Sequence, residues 1–382
     1  MTKSVLVTGG AGFVGSHLVD ELVSRDYRVR VLDRLEVQVH GPGAAEPGFR
    51  PEYLHPDAEL QVGDTGDPAT IARALEGVDV VFHQAAAVGV GQSMYEIDRY
   101  VARNTHATAV LLQAIVDRQA RHPLDRLLVA SSMSIYGEGE YRLADGTRFA
   151  PSPRPDAQLD ARTWEMLGPD GGVAEPVPTT EDKALRPTSV YALTKRDQEE
   201  YCLLVGATYG IPTVALRYFN IYGPRQALSN PYTGVAAIFG SCLLSEAAPT
   251  IYEDGLQTRD FIHVRDIVTA NLLGLEADPG AAAGQVFNVG TGRPTNLLQL
   301  HAGLQKALDV PGVEPQIPGR FRAGDIRHCY ADIAKISAAL GFEPTVDLET
   351  GLSELAGWMR TQEAENLTNR AAAELERKGL VH

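Results

Sequence analysis

Short apolar, β-branched runs alternate with amphipathic stretches through the first 225 residues. Ser4-Val5-Leu6-Val7-Thr8 predicts a strand, and the pattern from Phe13 to about Arg25 a helix. Further strands are predicted at Arg28-Val29-Arg30-Val31-Leu32, Leu60–Asp64, Asp79–His83, Leu127–Ser131 and Thr213–Arg217. Between them, helical periodicity covers Ala69–Leu75, a long Tyr95–Gln119 stretch, and Tyr191 to about Tyr209. Strands that are apolar on both faces suit a sheet covered on both sides. Alternation with helices gives an α/β chain with a doubly wound parallel sheet and right-handed crossovers.

The rhythm breaks in three places. Residues 38–58 are rich in Gly, Pro and Ala and read as a loop. Residues 138–187 are dense in Pro and Gly, and a structureless stretch that long is usually functional. They are expected to form an insertion at the mouth of the site, as a lid or an oligomer contact. After Arg225 strict alternation stops. A helix over 233–246, a short strand Thr250-Ile251-Tyr252, a polar turn 254–260 and a helix Asp266–Leu275 are predicted. Val286–Val289 is expected to return to the large sheet, followed by helices Leu297–Leu308, Ile333–Leu340 and Leu348–Arg360. The last ~20 residues, rich in Ala, Glu and Arg, read as helical.

The first strand leads into Gly9-Gly10-Ala11-Gly12-Phe13-Val14-Gly15 and then a helix. Glycines 9, 12 and 15 let the backbone turn tightly and approach a pyrophosphate, and a helix N-terminus favours its negative charge. Asp33, at the end of the second strand, is placed to accept from adenosine ribose hydroxyls and to repel a 2′-phosphate, which favours NAD over NADP. Arg34, next to it, keeps the phosphorylated cofactor open. Asp64 ends the third strand near the expected adenine. Ala85-Ala86-Ala87 are small where a cofactor backbone could lie close, and His83 reads as structural. Ser131, Ser132 and Ser134 sit at the carboxyl end of the fifth strand, where open α/β sheets bind ligands. Tyr191 and Lys195 lie one helical turn apart on one face. An ammonium beside a phenol favours the phenolate, which makes the pair a candidate base with a lowered tyrosine pKa.

Composition narrows the classes. The 382 residues carry 34 Lys+Arg against 49 Asp+Glu, a formal charge of −15, without a basic cluster. A nucleic-acid surface is therefore excluded, and an anionic substrate must be met by a few placed arginines. Cys202, Cys242 and Cys329 are far apart, which fits neither a zinc site nor a disulfide framework, so no metal is expected. No apolar run reaches the ~20 residues of a membrane span. The N-terminus lacks a signal-peptide layout. A cytoplasmic protein is expected.

These motifs together resemble the extended short-chain dehydrogenase/reductase superfamily, within it the nucleotide-sugar epimerases and dehydratases. The resemblance rests on Thr8 to Gly15, Asp33, Ser132 four before Tyr136-Gly137, Tyr191-x-x-x-Lys195, and Arg217-Tyr218-Phe219-Asn220-x-Tyr222-Gly223-Pro224. It continues through Arg259-Asp260-Phe261-Ile262-His263-Val264-x-Asp266, Asn288-Val289-Gly290 and Arg322-Ala323-Gly324-Asp325. It implies Ser132, Tyr191 and Lys195 as the catalytic set. It implies NAD held by Gly9, Gly12, Phe13, Val14, Gly15, Asp33, Arg34, Asp64, Thr65, Ala85, Ala86, Ala87, Asn104, Ser131, Tyr191, Lys195 and Tyr218. It assigns the nucleotide-diphosphate sugar to Ser132, Ser134, Asn220, Arg259, Arg322 and Asp325, and it implies a homodimer through the long helices. The expected division is a Rossmann-type cofactor domain over 1–225, to which 262–292 returns, and a nucleotide-sugar lobe over 226–261 and 293–382.

In the resembling 4,6-dehydratases an Asp-Glu pair follows the catalytic hydroxyl residue. Here Met133 and Ser134 stand there, and neither is a useful acid. That leaves 4-epimerisation by C4 oxidation and hydride return. The 138–187 segment and the run Leu228–Phe239 look most like the dTDP-L-rhamnose 4-epimerase type. A UDP-hexose or UDP-hexuronate 4-epimerase is the alternative, with a net oxidoreductase and a non-catalytic sensor as rivals. Cys329 lies where some epimerases carry a bulkier residue, which implies a roomier sugar pocket.

Overall fold

Seven strands build the large sheet: β1 (Ser4–Thr8), β2 (Arg28–Asp33), β3 (Glu59–Val62), β4 (Val80–His83), β5 (Arg126–Ser132), β9 (Thr213–Tyr218) and β12 (Gln285–Val289). All pair in parallel, in the order β12-β9-β5-β4-β1-β2-β3. The computed structural model describes residues 2–228, 230, 234–322, 324–362 and 374–381.

Alternate strand residues feed two cores. Val5, Val7, Val80, Phe82 and Leu128 face one side, with the Phe13–Ser24 and Val264–Glu276 helices; Leu6, Val81, Leu127 and Val129 face the other, with the Ala107–Gln119 and Val190–Tyr209 helices. Each fully buried Val or Leu contributes about 1.5–3 kcal/mol, so both faces favour the same register. β12 pairs with β9, as expected of the Val286–Val289 run.

A second core joins the helices Val235–Leu244, Leu297–Leu308 and Leu348–Met359. It lies beside a smaller sheet of β10 (Asn220–Tyr222), β11 (Thr258–His263), β13 (Pro294–Asn296) and β14 (His328–Cys329). β11 takes up the end of the predicted polar turn. Thr250-Ile251-Tyr252 is not a strand; Thr250 makes a single bridge to Gln316. The Ala334–Leu340 helix packs on the large sheet through Ile336 and Leu340, not on the smaller core as the predicted division had it.

The predicted Tyr95–Gln119 helix is divided. Short turns at Val90–Ser93 and Ile97–Tyr100 precede a π-helical turn Val101–His106 and the regular helix Ala107–Gln119. Residues 138–187 are not structureless. β6 (Glu140–Arg142), β7 (Arg148–Phe149) and β8 (Glu175–Val177) form an antiparallel sheet, with a helical turn at Asp156–Asp160. Of the predicted C-terminal helix, 363–373 and 382 lie outside the described residues; 374–377 form one helical turn. Ser229, Pro231, Tyr232, Thr233 and Ala323 of the quoted motifs also lie outside them.

Candidate active site

The carboxyl ends of β1, β2, β4, β5 and β9 open into one cavity of about 910 Å³ that continues between the two cores. Its wall includes Gly9, Gly12, Phe13, Val14, Gly15, Asp33, Arg34, Asp64, Thr65, Ala85, Ala86 and Ala87. It runs on past Ser131, Ser132, Ser134, Tyr191, Lys195 and Tyr218 to Asn220, Arg259, Arg322 and Asp325.

At one end the backbone is shaped for a close ligand. Gly9 holds φ +69°, and a Cβ there would stand 2.8 Å from Ala85 Cα. A Cβ on Gly15 would fall 2.2 Å from the Gly9 carbonyl oxygen, so the helix packs on the turn only with glycine. Gly12 caps the Phe13–Ser24 helix without a side-chain partner, which leaves amide donors for an anion. Asp33 accepts from the Ala11 (3.1 Å) and Leu35 (2.9 Å) amides, which fixes the carboxylate at the tip of β2. Arg34 is paired to Asp64 at 2.9 Å and Glu36 at 3.0 Å, so its charge is already met by acids. This cradle fits a dinucleotide without a 2′-phosphate.

Asn104 corrects one expectation. It is fully buried and absent from the cavity wall. Its amide accepts from Ala87 N at 2.7 Å and donates to Ala87 O and Thr194 Oγ1, so it braces the strand-end backbone from behind. The π-helical turn is what presents it there.

Where β5 ends, Ser134 Oγ donates to Ser132 Oγ at 2.9 Å. Ser132 in turn hydrogen-bonds the Tyr191 phenol and pulls its pKa down. Burial outweighs this, and the phenol stands above its ordinary value. The lowered tyrosine pKa expected from Lys195 is therefore not found. Lys195 Nζ instead donates to the Ala130 carbonyl, and burial pushes its pKa down to about 8. The one-turn spacing places both groups at the site, but a carbonyl left within reach at the strand end has captured the ammonium.

His83 is structural, as read from the sequence. Its ring meets Thr8 at 2.8 Å, Thr108 at 2.9 Å and Gln198 at 3.1 Å, and burial lowers its pKa from 6.5 to about 3. The unfolded chain binds the proton first, so stability should drain away as pH falls below 6.5. By pH 4 this amounts to roughly 3 kcal/mol. Denaturant melts of wild type and His83→Gln at pH 7 and pH 4 check it: the variant should lose less. Equal losses would contradict the assignment.

At the far end, Arg322 lies over the Tyr252 ring at 4.9 Å and pairs with Asp325 at 3.0 Å. Arg259 donates to the carbonyls of Thr258, Ile326 and Arg327. Burial alone would raise the Asp325 carboxyl, but Arg322, Arg259 and Arg154 together hold it below its ordinary value. The buried amide oxygens of Asn220, Gln226 and Gln257 lack a partner among the described residues and belong to the same wall. Gln226, Gln257 and Tyr252 were not anticipated. A buried glutamine two before Arg259 was the available signal, but burial is not visible in a polar turn.

Two further expectations fail. No residue of 138–187 lines the cavity, so this segment is not a lid at its mouth. Cys329 is 1% exposed, packs with Met133, Tyr136 and Phe219, and is also outside the wall, so it cannot set the room for the sugar.

Among known proteins, the family model of the NAD dependent epimerase/dehydratase family matches residues 5–290. A dTDP-L-rhamnose 4-epimerase of Burkholderia thailandensis is 36% identical over 94% of this chain and 95% of its own. A UDP-glucose 4-epimerase of Mycolicibacterium smegmatis is 30% identical over 94% and 98%. The crystal structure of UDP-glucuronic acid 4-epimerase from Bacillus cereus with UDP-glucuronic acid and NAD superposes with a TM-score of 0.74. It is 26% identical and covers 94% of this chain and 99% of that one. The sequence resemblance, the parallel sheet and the dinucleotide cradle thus meet in one assignment: the chain belongs to the NAD-dependent epimerase/dehydratase family and is an NAD-dependent nucleotide-sugar epimerase.

Proposed function

We propose that the protein is a 4-epimerase of a dTDP-6-deoxyhexose such as dTDP-L-rhamnose. The observation that carries this reading is the hydroxyl chain Ser134–Ser132–Tyr191 beside Lys195, with Met133 and no proton-transferring acid next to Ser132. Gly9, Gly12–Gly15, Asp33 and Ala85–Ala87 hold NAD, which supplies a reversible hydride acceptor. Tyr191 Oη takes the proton of the sugar C4 hydroxyl, while Ser132 holds the same oxygen by hydrogen bond. Lys195, released from Ala130, lends its charge to the phenolate. Arg259, Arg322 and the Asn220 amide grip the nucleotide diphosphate, Asp325 orients the Arg322 guanidinium and accepts from the nucleoside, and the 4-keto sugar is left free to turn. Tyr191 returns the proton, and the sugar leaves as its C4 epimer. Met133, Phe219 and Ile326 add an apolar stretch to the otherwise hydroxyl-bearing wall near Ser132, which suits a 6-methyl group.

The second reading is a UDP-glucose or UDP-hexuronate 4-epimerase, favoured by the Mycolicibacterium and Bacillus relatives. Incubation with a panel of dTDP-, UDP- and GDP-sugars, without added cofactor, separates the two by NMR. The C4 epimer of dTDP-L-rhamnose is expected. Turnover of UDP-sugars alone supports the second reading. A 4-keto-6-deoxy product would make the protein a dehydratase, and released NADH with ketone a net oxidoreductase.

The cofactor unit is read as 1–225 with 262–292, and the nucleotide-sugar lobe as 226–261 with 293–382 apart from the Ala334–Leu340 helix. A homodimer is part of the proposal. Ile97, Val101, Leu193, Tyr201 and Leu204 are 40–67% exposed on the 97–106 turns and the Val190–Tyr209 helix. An apolar face of that kind is a candidate for burial against a second copy. Light scattering on the eluted protein tests it. No helix among the described residues is long and apolar enough to cross a membrane.

A further inference from the structure

The 138–187 segment lies away from the cavity, yet it supplies charged side chains directly behind the segments that carry Tyr252, Arg259, Arg322 and Asp325. Arg154 is 7% exposed. Its two terminal nitrogens straddle Glu253, at 3.0 Å to Oε2 and 2.7 Å to Oε1. The same two nitrogens also donate to the Trp164 carbonyl at 2.8 Å and the Asp325 carbonyl at 3.1 Å. Glu253 directly follows Tyr252, holds φ +58°, and its amide donates to the Arg320 carbonyl at 2.7 Å. Arg327, fully buried, reaches the same carboxylate at 3.0 Å and also bonds Asp254 and Glu165. Glu138 receives the Arg327 amide at 2.7 Å. Glu138, Arg154, Glu165, Glu253, Asp254 and Arg327 all stand outside the cavity wall.

We infer that Arg154 is a positioning residue for nucleotide binding: its planar fork clamps Glu253 and the Asp325 carbonyl together, and so holds the Tyr252–Arg322–Asp325 face in register. The inserted segment is thus a buttress for substrate affinity. Two features single out Arg154 from a generic buried ion pair. It spans two chain segments, 252–254 and 320–327, that each carry a ligand-facing residue. Its bidentate contact fixes direction as well as distance, which a lysine cannot reproduce. The left-handed backbone at Glu253 is unfavourable for a side-chain-bearing residue and needs such an outside hold.

The inference rests on the reading of that face as the nucleotide-diphosphate site. The test therefore measures binding of free UDP and free dTDP to the full-length protein by calorimetry, together with NAD affinity and the melting temperature. Arg154→Lys keeps the buried charge and should fold. It is expected to weaken nucleoside-diphosphate binding by about tenfold or more, in line with one lost charge-assisted hydrogen bond. NAD affinity and kcat should stay within about twofold, since the clamp touches neither the cradle nor the hydroxyl chain. Arg154→Met should weaken nucleotide binding at least as much. If Lys binds both nucleotides like the parent, Arg154 does not position the face. If nucleotide and NAD affinities fall together, or neither variant folds, Arg154 serves the fold alone and the inference is overturned. A parent protein that binds neither nucleotide, with Arg322→Ala behaving the same, would instead remove the underlying site reading.

Discussion

Replacing Tyr191 with Phe is expected to lower turnover roughly a hundred- to ten-thousandfold, the usual worth of one general base, while NAD and nucleotide affinity stay unchanged. The substitution removes one oxygen and keeps the ring, which packs edge-on against Tyr100 at 6.4 Å. The affinity-bearing groups lie elsewhere in the wall: the Gly9–Gly15 turn at one end, Arg322 and Asp325 at the other. In the free protein the phenol is neutral at pH 7, because burial holds its pKa above the ordinary value. Ser132 opposes that burial. Ser132→Ala should therefore raise the phenol pKa further and move the ascending limb of kcat/KM against pH to more alkaline values, in addition to lowering the rate at pH 7. Measured rates of wild type, Y191F and S132A across pH 6–9.5 check both statements. A Y191F enzyme within about threefold of wild type would remove the phenol from the chemistry.

Much of this was legible in the sequence. Val5 and Leu6 alternate between two cores, so the β1 pattern alone identified a strand buried on both faces. The glycine turn and Asp33 were recognisable because each position demands a particular backbone or charge, whatever surrounds it. The sequence was silent wherever a long-range partner decides. β6, β7 and β8 have two or three residues each, too few for a periodic signal. Arg154 and Glu165, in the same segment, are tied to partners 99 and 162 residues away, which no local pattern reveals. Asn104 reads as any polar helix residue until the π-helical turn directs it at Ala87. Lys195 was placed by its spacing, but its competitor, the Ala130 carbonyl, could not be seen. The same holds for Cys329: a motif position suggested the sugar pocket, and packing against Met133 and Phe219 put it one layer behind.

Arg322→Ala should raise the KM for the nucleotide sugar and the Kd for free nucleoside diphosphate by about ten- to a hundredfold, with kcat changed by less than about threefold. One or two charge-assisted hydrogen bonds to a diphosphate account for that range. Arg322 is the cleaner probe of the two arginines. Its side chain is 42% exposed, and its contacts are the Tyr252 face and Asp325, so the fold should survive its loss. Arg259, 13% exposed, closes three backbone carbonyls of the 258 and 326–327 segments. Its removal should cost stability as well as affinity, and a lowered melting temperature should separate the two variants. Raising salt should weaken binding to wild type more steeply than to Arg322→Ala, since an exposed cation facing a diphosphate is screened. Calorimetric titration with UDP and dTDP at two salt concentrations reads the affinity and its salt dependence, steady-state kinetics read KM and kcat, and thermal melts read the stability. If R322A binds both nucleotides as tightly as wild type, the diphosphate lies elsewhere. An equal fall in kcat would place the guanidinium at the reacting sugar and not at the phosphates.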